Sequence, residues 1–505
     1  MQVESRRAIA FEKTVAGAQC AERTLRSGCD PWYVPYMPAL TPLPYVTVQT
    51  LSAFDMIDSM GVNTNIAYQN GGTDAADLPN RDGERELIAA LRRLGIHHIR
   101  NQGLDRNPAE NAGTAHPGAP SDLQNFVTLR QAVPGLMLDY VVDAGGPPHW
   151  GDGDVSDQTA VLLSLARMGA LASIEGPNEP NNQATYSPAG RRYSTALGAY
   201  NAIWTQWGQA LDALKASDAA FGSVDLLPPT SAVQGGDFPD GVEETYENAR
   251  LTDHSAQYTL MNLHSYGPFA GLSQGDPQGD VTAGNPPNWG AYQVSIPNWG
   301  RYGMPGRGVV VSESGADTVL SGGGGLPVSE RAQGVALVSD FFWAKYYGAR
   351  RFYIYQINDD SSDLTDANAP RWGIYRGNWS AKPAATYIHN FTSILADAAQ
   401  SDPAAIPAFT VTGPKVATWG ATMAFSKSDG SAVLACNNVL PWWNVATGAD
   451  IVPRAEAWSV RFAKPVTYTV TDVVRGVTSA AATGMVVRIG VRGVPVLIHI
   501  LKVTP

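Results

Sequence analysis

Apolar positions along the chain fall into two rhythms. From about residue 55, short apolar runs alternate with helical patterns. Gly61–Tyr68, His97–Gln102, Leu136–Asp143, a strand within Leu171–Asn181, Ser223–Thr230, Tyr258–Tyr266, Gly308–Ser312 and Arg351–Gln356 read as strands. Between them, Glu84–Leu94 places Leu87, Ile88, Leu91 and Leu94 on one helical face, and Gly95 ends it. Leu123–Ala132 follows a cap at Ser121 or Asp122. Asp157–Met168, a long helix opened by Ser187-Pro188 and running to Lys215, Glu330–Tyr347 and Ala384–Ala396 complete the helical set. Strands alternating with helices pair in parallel. Eight such units over about 340 residues fit a (β/α)8 TIM barrel, an α/β fold, better than an open sheet. No GxGxxG follows the first strand, which weakens the doubly wound alternative.

After about Ser401 the period changes to two. Phe409–Thr412, Met423–Phe425, Ala432–Ala435, Trp458–Phe462, Val466–Val470, Val486–Val491 and Val494–Leu501 are short β candidates, and Ser428-Asp429-Gly430 marks a hairpin. This is the pattern of an additional C-terminal β-sandwich domain. Before the barrel, Pro31, Pro35, Pro38, Pro42 and Pro44 give an extended segment that lies on another element. The expected organisation is therefore an extended segment over residues 1–50 that adds to the sandwich, a barrel over 51–400 and a sandwich over 401–505.

The chain has 505 residues, 44% of them hydrophobic, which excludes disorder as its general state. Its 51 Gly and 35 Pro make it rich in loops, and these have a natural place at the ends of barrel strands. A net charge of -11 argues against nucleic acid or an anionic membrane as partner. No apolar run is long enough to span a bilayer, so membrane insertion is not expected. The first residues, MQVESRRAIAFEKT, lack the apolar stretch of a secretory leader. Cys20 and Cys29 are close enough to pair, two free thiols fit equally well, and Cys436 is left over. A secreted or periplasmic protein is the expectation from the low charge content and such a bridge, with a cytoplasmic one as the alternative. No Cys/His cluster has the spacing of a zinc site, and no metal or organic cofactor is expected.

Chemistry in a barrel sits at the C-terminal ends of the strands. The fourth strand ends in Glu175-Gly176-Pro177-Asn178-Glu179-Pro180-Asn181. Pro180 restricts the residue before it to extended conformations, a frame that would hold Glu179 at the mouth. The seventh strand runs Val309-Val310-Val311-Ser312 into Glu313. Alone, the first is as compatible with a polar turn, and the second with a surface acid. Together they supply what glycoside hydrolysis with retention needs, two carboxyl groups about 5–5.5 Å apart. The pairing resembles the clan A glycoside hydrolases, (β/α)8 barrels in which an Asn-Glu pair ends strand four and a Glu ends strand seven. The run EGPNEPN and the added sandwich are most similar to family 39, with comparable layouts in families 30 and 79. The resemblance spans about residues 55–397.

The resemblance implies Glu179 as general acid/base and Glu313 as nucleophile, with Asn178 on the sugar 2-hydroxyl. Strand two ends with Arg100 and Asn101, and a cation there would hydrogen-bond the nucleophile and keep it ionised. Strand six places Asn262, His264 and Tyr266 on one face. The clan has a His or Tyr beside the nucleophile here, which points to Tyr266 and to His264, although a core histidine fits His264 equally. His149 and Trp150 after strand three, Tyr355 and Gln356 at the end of strand eight, and Trp372 beyond it are candidates for sugar binding. Many clan members carry Trp at the end of strand eight; YIYQIND departs from that. Glu175 is a rival acid placed deeper in the barrel and reads as structural. The glycine loop Ser321–Gly325 fits a lid or a plain surface loop.

The expected function is a retaining glycoside hydrolase acting on an oligo- or polysaccharide by double displacement with two glutamates. The alternative is a carbohydrate-binding protein on a degenerate barrel, which would not need both carboxylates. A lyase or aldolase would need a Lys or a metal cluster at a strand end, and none is seen.

Overall fold

The computed structural model describes residues 50–64, 81–102, 122–142, 155–179, 197–230, 253–264, 273–274, 304, 306–318, 328–359, 371–400, 406–413, 420–444 and 447–504. Cys20, Cys29, the Pro31–Pro44 run, His149, Trp150, Ser187-Pro188, Tyr266 and Ser321–Gly325 lie outside these residues.

Eight parallel strands make the first sheet. They are β1 Met60–Asn63, β2 His98–Gln102, β3 Met137–Val141, β4 Leu171–Glu175, β5 Asp225–Leu227, β6 Met261–His264, β7 Val309–Ser314 and β8 Ala349–Ile354. Their spatial order runs β5-β4-β3-β2-β1-β8-β7-β6. The chain closes the remaining gap between β5 and β6 with Thr259 N–H donating to the Leu226 carbonyl at 2.9 Å. The sheet is thus the nearly closed barrel that the alternation of strands and helices implies. The helix Arg81–Leu94 turns Leu87, Leu91 and Leu94, all fully buried, towards the barrel, which is the face that the 3.6 period assigns to it. Most apolar strand residues point outward into this helical layer. The lumen holds a smaller apolar group of Leu227, Val310 and Tyr353. Tyr353 crosses the lumen directly over Gly61, where a Cβ would come within 2.3 Å of its ring.

The second sheet is mainly antiparallel and folds on itself. Its strands are β9 Phe409–Thr412, β10 Gly420–Ser426, β11 Ala432–Asn438, β12 Glu456–Asp472, β13 Ala482–Val491 and β14 Val496–Val503. One departure from the sequence reading is instructive. Trp458–Phe462 and Val466–Val470 are halves of one strand, β12, and not two. Pro465 between them reads as a break because it cannot donate to a ladder. The pairing with β13 shifts register between Arg461 and Val466, so the Pro sits where the ladder is already interrupted. The early half of β12 pairs with β9, the late half with β14, and β13 pairs with both. Trp458, Val460, Phe462, Val466 and Val470 line the core of the sandwich. Gly430, at φ 82°, closes the hairpin between β10 and β11. The two-residue strand Leu51–Ser52 joins the edge of this sheet in parallel to β10. Cys436 is buried as a free thiol, which burial pushes up to about 12.

The helix Glu330–Tyr346 is buried almost throughout because it lies between barrel and sandwich, where Ser339 Oγ donates to the Gly493 carbonyl at 3.2 Å. A helix covered on both sides has no polar face to show. Among the described residues, no helix is long and apolar enough to cross a membrane.

Candidate active site

Residues of β1, β4 and β7 converge on one guanidinium. Arg100 of β2 has five N–H donors, and the structure gives each an acceptor. Nε donates to Glu175 Oε2 at 2.8 Å. Nη2 donates to Glu175 Oε1 and to Asn178 Oδ1, both at 2.7 Å. Nη1 donates to Asn63 Oδ1 at 2.8 Å and to Glu313 Oε1 at 2.6 Å. Arg100, Glu175 and Glu313 are all buried. The pair with Glu175 is bidentate, the geometry in which a guanidinium is held most rigidly.

Glu313 faces the lumen only because β7 is irregular. Along a regular strand it would share the side of Val309 and Val311, which point outward into the helical layer. Leu263 of β6 stands opposite Val311, but the next residue, His264, stands opposite Glu313. Ser312 is therefore an extra residue. Ser312 and Glu313 both turn inward: Ser312 Oγ reaches Glu175 Oε1 at 3.4 Å, while Glu313 meets Arg100. A β-bulge re-aims a side chain in this way next to many active sites. It also leaves a carbonyl off the ladder. Asn63 Nδ2 donates to that Ser312 carbonyl at 2.9 Å, so Asn63 supports both the bulge and Arg100. Gly315, two residues on, admits the Tyr355 carbonyl, which would stand 2.2 Å from a Cβ there.

Glu179 arrives differently from the sequence expectation. Its φ is 45°, in the left-handed region, and not the extended conformation that Pro180 favours. A non-glycine residue costs about 1–3 kcal/mol in such a conformation and persists where its surroundings fix it. One such contact is His264, whose Nδ1 lies 2.7 Å from Glu179 Oε1 and 3.6 Å from Glu313 Oε2. On its other side His264 Nε2 meets Thr230 Oγ1 at 2.9 Å. Burial disfavours the imidazolium, but Glu313 and the carboxylates of Glu175 and Glu179 outweigh it and lift His264 to about 9. Below that pH both ring nitrogens carry protons, so Nδ1–H donates to Glu179 and Nε2–H to Thr230. One donor atom from each of Glu179, His264 and Glu313 lies within 4.8 Å of the other two. That spacing would admit a divalent ion, but a protonated His264 offers it no lone pair.

Beneath this layer lies a second polar one. Burial and then the Glu175 charge push the Asp139 carboxyl up to about 7, and Ser173 donates to it at 2.6 Å. Glu175 moves the other way: burial opposes its ionisation, yet the charge and hydrogen bonds of Arg100 hold it down at about 2. Arg351 joins Ser173 at 3.3 Å to Asp225 at 2.8 Å.

Arg100, Asn178, Glu179, His264 and Glu313 are thus brought together. Asn101 is buried beside them with its Oδ1 accepting from Thr64 at 3.3 Å. Tyr355 and Trp372 are half-buried partners, ring to ring edge-on at 6.3 Å. Gln356 is buried, and its carbonyl accepts from Ile374 N–H at 2.9 Å. Lys382 braces this strand-eight loop through Asp359 at 2.7 Å and the Arg371 carbonyl at 3.1 Å. Sequence reasoning did not single out Asn63 and Thr230 as site residues. Each is a polar residue at or just past a strand's C-terminal end, which is the signal that could have found them.

No protein-family model matches the sequence, and no curated protein matches it. Solved structures do. The family 39 glycoside hydrolase from Xanthomonas axonopodis pv. citri superposes with a TM-score of 0.51 at 11% identity, over 90% of this chain and 95% of that one. The chain shares the fold of that family 39 glycoside hydrolase. The family 39 β-xylosidase from Caulobacter crescentus matches over 90% of this chain and 98% of its own, at 12% identity and a TM-score of 0.49. The family 39 glycoside hydrolase from Bacteroides cellulosilyticus WH2 covers 88% and 82%, at 13% identity and 0.46.

Proposed function

We propose that the protein is a retaining glycoside hydrolase, with Glu313 as nucleophile and Glu179 as general acid/base. The observation that carries this is the approach of the Glu179 and Glu313 donor atoms to within 4.8 Å. Retaining enzymes hold their carboxyl groups at about 5–5.5 Å, whereas inverting ones need about 6.5–9.5 Å to admit a water.

The residues divide the work. Arg100 holds Glu313 Oε1 and so orients the carboxylate for attack on the anomeric carbon. The His264 Nδ1 proton moves along its hydrogen bond to Glu179, which then donates it to the leaving oxygen. The carbon–oxygen bond to the leaving group breaks as the bond to Glu313 forms. In the second half, Glu179 takes a proton from water and passes it back to His264 Nδ1, the hydroxide attacks the same carbon, and Glu313 leaves as carboxylate. Asn178, whose Oδ1 is held by Arg100, presents its amide N–H to the sugar 2-hydroxyl. Tyr355 and Trp372 supply an aromatic wall. The substrate class is an oligo- or polysaccharide.

Substitution tests this. Glu313→Ala is expected to abolish turnover of every glycoside the wild type cleaves. Glu179→Ala is expected to lose about 10²–10⁴-fold on poor leaving groups, retain activated aryl glycosides, and regain rate with azide as a β- or α-glycosyl azide of retained configuration. Wild-type activity in either variant contradicts the assignment.

A further inference from the structure

Glu175 is the acid that the sequence reading set aside, and in the structure it holds two of the five Arg100 donors. We infer that Glu175 is a positioning residue for the catalytic pair: it fixes the Arg100 guanidinium so that one edge meets Glu313 and the other meets Asn178. This deepens the proposed function and rests on it.

The geometry is directional. A guanidinium is planar, and two bonds to one carboxylate fix both its plane and its rotation within that plane. With Nε and Nη2 bound to Glu175, the outer Nη1 is aimed at Glu313 Oε1 and Asn63, while the second Nη2 hydrogen is aimed at Asn178. Glu175 itself is fully buried, on β4, four residues before Glu179. It reaches Glu313 and Asn178 by way of the guanidinium, so it acts through Arg100. Its charge also counts. Arg100, Asp139, His264 and Tyr353 face it from β2, β3, β6 and β8, and Ser312 Oγ of β7 lies 3.4 Å from its Oε1. The site places Glu175, Glu179 and Glu313 around Arg100 and a protonated His264. Without the Glu175 charge, the two cations repel with one counter-charge fewer.

The test is Glu175→Gln, which keeps the shape and one acceptor but removes the charge and the second acceptor. We expect kcat on the best aryl glycoside to fall on the order of 100-fold, as a misplacement of about 1 Å does elsewhere, with KM changed by less than about twofold. The basic limb of the pH–kcat profile moves to lower pH. The His264 ring, followed by NMR on ¹³C-labelled histidine and assigned by difference against His264→Gln, titrates lower than in the wild type. A Glu175→Gln enzyme with wild-type kcat and an unmoved basic limb overturns the inference. If the variant does not fold, Glu175→Asp decides: it keeps the charge but draws the two oxygens back from Arg100, so kcat should fall while His264 titrates as in the wild type, and an unchanged kcat overturns the inference. Failure of the underlying reading looks different, because Glu313→Ala and Glu179→Ala would then keep activity whatever Glu175 does.

Discussion

The barrel lumen carries two polar layers that differ in how they are satisfied. In the upper layer, every donor of Arg100 has an acceptor and His264 is bound on both nitrogens. In the lower layer, among the described residues, Asp139 Oδ2, Tyr353 Oη and His98 Nδ1 are buried without a hydrogen-bond partner. The charges differ in the same sense. Glu175 above is held ionised, and Asp139 below is pushed towards the neutral form, although they are neighbours in one lumen. A fully satisfied network specifies one arrangement, while a partly satisfied one costs stability. The difference teaches where precision is concentrated: at the mouth, where two carboxylates and an imidazolium must meet in one geometry, and not in the floor that carries them.

Arg100→Met breaks the comparison most severely. It leaves Glu175 buried without the guanidinium that binds both its oxygens, and removing one partner of a buried pair costs about 3–5 kcal/mol. Urea unfolding followed through the barrel transition should register that loss. A loss below about 1 kcal/mol, well under that range, would mean that Arg100 does not hold the upper layer together. Activity should vanish with it, because Glu313 and Asn178 lose their common anchor.

Asp139→Asn sharpens the comparison from below and has the smaller effect. A carboxyl raised by folding from 3.8 to about 7 binds its proton more tightly in the native state. Native stability therefore falls as pH rises through that window, and the ionised form is the destabilising one. Asn keeps an acceptor for Ser173 without the charge. The variant should gain about 2 °C or more in Tm at pH 8 and nothing at pH 5. Equal losses at both values would make Asp139 a stabilising counter-ion to Arg351, and the two layers would then be alike.

The barrel and sandwich were legible because their periods differ. Leu87, Leu91 and Leu94 recur at helical spacing, while Trp458, Val460 and Phe462 alternate, and burial follows both patterns. What escaped the sequence was local irregularity. A proline inside an alternating run can be placed only when its partner strand is known; at Pro465 the ladder skips and the strand continues. Alternation alone would turn Glu313 outward with Val309 and Val311, and only the extra residue at Ser312 turns it in. The left-handed φ of Glu179 departs from what its neighbour Pro180 favours, and its side chain meets His264, 85 residues away in sequence. Glu175 read as structural because its depth was legible, whereas its bidentate hold on Arg100 required the barrel to close.

The stereochemistry of the first product tests the central claim most directly. Any glycoside that the protein cleaves can be followed by proton NMR from the first seconds of reaction, before mutarotation. Two carboxylates this close leave no room for an intervening water, so the product should appear in the anomeric configuration of the substrate. First appearance of the inverted anomer would contradict the account.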